Sequence, residues 1–175
     1  MILRSARGII IRQYFIQVYK NCIVMETNVC GVAAWRVIVA SLVFTVIGFI
    51  VHMVGAFAMI GYYLDPAYFC VWNRLLMPTA GPPPIGFTLA SLGLGFVSAL
   101  LFVFVYLMVR PVFKEKSGFA AGSMFGFGVF LVGGLPGSFM LWLLVNLPGG
   151  LIASYTIEAL AGSVLGGALA GVIAR

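Results

Sequence analysis

The sequence predicts an all-α, polytopic membrane protein: a four-transmembrane-helix bundle with a short amphipathic interfacial helix in its first extracytoplasmic loop. Three observations carry this reading. Apolar residues make up 63% of the 175-residue chain and charged residues only 8%, about a third of the share a soluble domain needs to coat its surface. The apolar residues gather into four stretches. Each is long enough, at about 1.5 Å per residue, to cross a hydrocarbon layer roughly 30 Å thick. Basic residues fall at the chain ends and between stretches, as topological anchors do.

Residues 1–24 form a basic N-terminal segment carrying Arg4, Arg7, Arg12 and Lys20 and no acid. Three readings stay open: a segment lying on the membrane, a targeting presequence, or a stretch upstream of a true start at Met25. Residues 25–175 read as one membrane domain. Its first span covers about 37–63, anchored by Arg36. Asp65-Pro66 then reads as a helix start, with Asp as N-cap and Pro at the first helical position. Tyr68, Phe69, Trp72, Leu75 and Leu76 share one face of the predicted helix over 66–77, which suits a membrane–water interface. Pro82-Pro83-Pro84 stiffens the return to the second span, about 87–109. Arg110-Pro111 ends that span. The third, about 118–145, contains Pro136, so it is expected to kink or break there. Leu147-Pro148-Gly149-Gly150 makes the last turn, before a fourth span over about 151–174.

The charge asymmetry sets the expected orientation. Arg36, Arg110, Lys114, Lys116, Arg175 and the four basic residues of the N-terminal segment lie on one side, and only Arg74 lies on the other. Both termini are therefore expected in the cytoplasm, most simply of a prokaryotic inner membrane.

Small residues recur at helical spacing in every span. Gly118, Gly122 and Gly126 mark the third, and Ser154, Gly162 and Gly166 the fourth, with Glu158 and Ala170 in the same register. Ser91, Gly95 and Ser98 or Ala99 mark the second, and Ser41, Thr45, Gly48, His52 and Gly55 the first. Such seams let helix backbones approach closely. Whether they face a sister span or another protomer stays open.

Two polar residues need a reason. A carboxylate at Glu158 costs at least about 2.5 kcal/mol inside a span, so it must be protonated or partnered. His52, the chain's one histidine, lies at a comparable depth in the first span. A His52–Glu158 pair is expected, serving either proton or ion coupling or helix–helix glue. Asp65, Asn73 and Arg74 form a candidate outer polar patch. One histidine and four acids supply no metal-ligand set, and no nucleophile–base arrangement or phosphate loop is present. Three cysteines without CxxC spacing imply no zinc site or disulfide framework.

The expectation is therefore a non-enzymatic helix-packing subunit or oligomeric membrane component, with no cofactor and no metal. Its partners are membrane lipids and either a second copy or a larger membrane complex, not nucleic acid. One alternative is a proton- or cation-coupled transporter or channel using Glu158 and His52. Another is a lipid- or quinone-linked membrane enzyme.

Overall fold

The computed structural model describes residues 28–72, 76, 83–113 and 116–174. The basic segment over 1–24 lies outside the described residues. A minimal hairpin comes first, β1 (Asn28–Val29) paired antiparallel with β2 (Val32–Ala33). Its two-residue loop has φ of 50° at Cys30 and 79° at Gly31. Two successive positive φ values match the right-handed twist of a tight hairpin. Cys30 is disulfide-bonded, a bond the cysteine spacing did not predict.

Among the described residues all other regular structure is helical. The helices are α1 (Ala34–Ala58), α2 (Ile60–Leu64), α3 (Ile85–Val109), α4 (Gly118–Val129), α5 (Leu135–Leu144) and α6 (Gly149–Ile173). A π-helical turn, Phe130–Gly134, joins α4 to α5 without a break. Four helical stretches are long and apolar enough to cross a membrane: Ala34–Ala58, Ile85–Phe113, Gly118–Leu144 and Gly149–Ile173.

Local chemistry explains most boundaries. Ser117 caps α4, its Oγ accepting the Ala120 N–H at 3.2 Å. Pro84 and Pro148 immediately precede α3 and α6 in extended conformation, where a missing N–H costs nothing. Pro136 sits at the start of α5, just after the π turn. Its ring would collide with the carbonyl four residues back in a regular helix. The wider π turn provides space for it, so of the expected kink or break the chain shows no break: helix continues through Pro136.

Two expectations are corrected. The first span ends at Ala58, not Tyr63; Met59 leaves helical geometry (φ −108°, ψ 17°) and α2 starts anew. The interfacial helix starts as expected, with Asp65 Oδ1 accepting the Ala67 N–H at 2.9 Å. Among the described residues it is a 3₁₀ turn over Pro66–Tyr68, followed by turns through Trp72; residues 73–75 and 77 of the expected helix lie outside them. Trp72 stacks on Tyr63 (centroids 4.9 Å apart, planes at 19°).

Helix α6 is central, packing against α4 on one side and α1 on the other, and α3 lies on α1. The largest buried cluster sits at the hairpin end. It joins Val32, Val37, Ala40, Val103, Tyr106, Leu107, Ala121, Ala170 and Ala174. Phe102 ties three helices there, lying 4.6 Å from Phe44 of α1 and 4.9 Å from Phe125 of α4. At the opposite end α5 buries no residue, and α3 buries none before Ala99. The hairpin end is the closed end of the bundle; the other is more open along α3 and α5, while Leu151, Ile152 and Ser154 at the start of α6 are buried there.

Candidate functional site

Five hydroxyls along the helices are satisfied by their own backbone. Ser41, Thr45, Ser123, Ser138 and Thr156 each donate to the carbonyl four residues earlier, which disposes of a polar group within an apolar helix. Ser154 behaves differently. It donates to Glu158 Oε1 at 3.0 Å.

Glu158 is the centre of the site. Its Oε2 lies 2.9 Å from His52 Nδ1, across the α1–α6 contact. The structure thus brings together the two side chains that the spans placed at similar depth. Glycine at position 55 leaves room for the carboxylate where it stands; a Cβ there would push the end of the Glu158 side chain aside. Glu158 keeps 13% of its side chain exposed and His52 keeps 47%. His52 shares the α1 face of Ser41 and Thr45 by helical spacing, and Ser41 at the closed end is fully buried. That interior face therefore opens progressively toward the polar pair. Nδ1 is engaged by Glu158, and Nε2 has no hydrogen-bond partner among the described residues.

An aromatic group lies beyond the pair, toward the open end. The Tyr63 and Tyr155 hydroxyls are 2.6 Å apart, linking α2 to α6. Trp72 covers Tyr63, and its indole N–H is buried without a partner among the described residues. Sequence reasoning missed Tyr63 and Tyr155 as a pair. A tyrosine at the end of an apolar run looks like an interfacial anchor, and only the fold shows that two such anchors meet.

The small-residue seams divide between two contacts. Gly118, Gly122 and Gly126 of α4 meet Ser163, Gly167 and Gly171 of α6, backbone against backbone. A Cβ at Gly122 would run into the Gly167 carbonyl, and one at Gly126 into the Ser163 carbonyl. The seam of the third span therefore faces a sister span. The register marked on the fourth span faces elsewhere. Gly166 lies under the Phe44 ring of α1, Glu158 holds His52 and accepts from Ser154, and Gly162 has open space above it. Helix α6 carries small residues on two faces because it is sandwiched. Of the outer patch, Asp65 serves as a cap; Asn73 and Arg74 lie outside the described residues.

Among the described residues no three His, Cys, Asp or Glu side chains converge on a metal-binding geometry. The chemistry on offer is a carboxylate–imidazole pair with a hydroxyl donor, able to hold a proton between two helices. Comparisons with protein-family models, with curated proteins and with solved structures each found no match.

Proposed function

We propose that this chain is a non-enzymatic, multi-pass membrane protein that works as a helix-packing subunit, either with a second copy or within a larger membrane complex. The half-exposed His52 ring carries the reading. It sits on an interior face of apolar helices, with one ring nitrogen held by Glu158 and the other without a partner among the described residues. In acyl chains such a group is costly until another helix or a bound lipid satisfies it. The absence of buried residues along α5 leaves further surface on which a neighbouring helix can pack. Solubilised in mild detergent, the protein should run as a defined assembly, and His52→Leu should weaken that assembly. A monomer in mild detergent and in lipid nanodiscs alike would refute the proposal.

A proton-coupled role is the second reading. It is favoured by the direct contact of an imidazole with a carboxylate inside a candidate span, a pairing that serves proton relays in membranes.

The proposed orientation places both termini in the cytoplasm, on the positive charge concentrated at the hairpin end. The Cys30 disulfide argues for the reverse, since such bonds persist in oxidising compartments. The charge asymmetry runs through both termini and the middle turn, so we give it precedence. Alkaline phosphatase fused after Ala80 in a bacterial host should then be active. An inactive fusion there, with an active one at the C-terminus, would invert the topology.

A further inference from the structure

A cavity at the closed end lies apart from the polar pair and touches the α4–α6 seam only at Gly118. Its volume is about 350 Å³, and its walls include Arg110, Lys116, Tyr106, Phe113, Cys30 and Gly118. That volume falls within the roughly 300–1,000 Å³ of small-molecule sites. No acidic side chain lines it among the described residues.

Arg110 is held in place. Its Nη1 donates to the Ala174 carbonyl at 3.2 Å, at the end of α6. A guanidinium carries five N–H donors, and this bond commits one of them. Lys116 adds a second cation. Gly118 opens α4 at the same wall, bringing the positive end of a helix dipole. Tyr106, Leu107, Pro111 and Phe113 supply apolar walls beside these charges.

We infer that this cavity binds a phosphate ester, with Arg110 and Lys116 as its cationic contacts. Two positive charges beside aromatic and aliphatic walls fit an anionic lipid headgroup, whose phosphate meets the cations while its glycerol and upper acyl chains meet the walls. Free phosphate shares the recognition chemistry but leaves the apolar walls unused.

The test uses the full chain in detergent, exchanged against phosphatidylglycerol or phosphatidylcholine and followed by native mass spectrometry. The wild type should retain phosphatidylglycerol in preference to phosphatidylcholine. Arg110→Gln and Lys116→Gln should each lower that retention about fivefold. Arg36→Gln, a cation outside the cavity wall, should leave it unchanged. Where Arg110→Gln loses the Ala174 contact and fails to fold, Lys116→Gln, on an exposed side chain, carries the test. Displacement of the lipid by millimolar inorganic phosphate assigns the site to free phosphate, and resistance to displacement assigns it to the headgroup. Equal retention by all variants overturns the proposal. So does an equal loss on Arg36→Gln, which would mean diffuse surface charge.

Discussion

Glu158→Gln and His52→Gln should each destabilise the bundle by about 1–2 kcal/mol in detergent unfolding titrations, and the double change should cost little more than either. The magnitude follows from the geometry. Each single change removes one half of the 2.9 Å contact across α1–α6 and leaves the other half under-satisfied. Gln at 158 still accepts from Ser154, so the loss reports the imidazole contact and not the local helix bond. Gly55→Ala should reproduce the single-mutant loss without touching either partner, since its methyl would displace the carboxylate. Additive costs in the double mutant would show that the two residues do not act as a unit. The proton-coupled reading adds a separate result: a pH-driven flux in liposomes that Glu158→Gln abolishes. Stability losses without any such flux would leave the pair as helix glue.

Gly122→Leu should be more damaging still, costing about 3 kcal/mol or more and separating α4 from α6. At this position the obstacle is backbone: the Gly167 carbonyl and the Gly171 Cα. Neither can rotate away as a side chain does, so the two helices must move apart and lose the packing that holds them. Gly167→Leu meets the Gly122 carbonyl and should behave alike. Gly128→Leu and Gly162→Leu supply the contrast, because both positions face open space; each should stay near neutral. Measured by unfolding in mixed micelles, comparable losses at Gly122 and Gly128 would contradict the proposed seam.

These glycines also mark where sequence reasoning reached its limit. The i, i+4 glycines of α4 were legible because the helix has one small face, and that face is the one in use. On α6 the same logic chose the register of Ser154, Gly162 and Gly166, while Ser163, Gly167 and Gly171 meet α4. Both registers were present in the sequence. A helix sandwiched between two neighbours needs two small faces, and periodicity alone does not say which neighbour takes which.

Composition and period determined the helical class, the four stretches able to cross a membrane, the capped turn at Asp65-Pro66 and the comparable depth of His52 and Glu158. Those properties depend on transfer free energy and local backbone chemistry, which each segment carries with it. Tertiary structure decided the rest: the end of α1 at Ala58, the Tyr63–Tyr155 and Tyr63–Trp72 contacts, and the basic cavity around Arg110. Each arises where residues distant in the chain compete for the same space. Pairing across helices depends on rotation about the helix axis and on which neighbour arrives, and neither is written in any single segment.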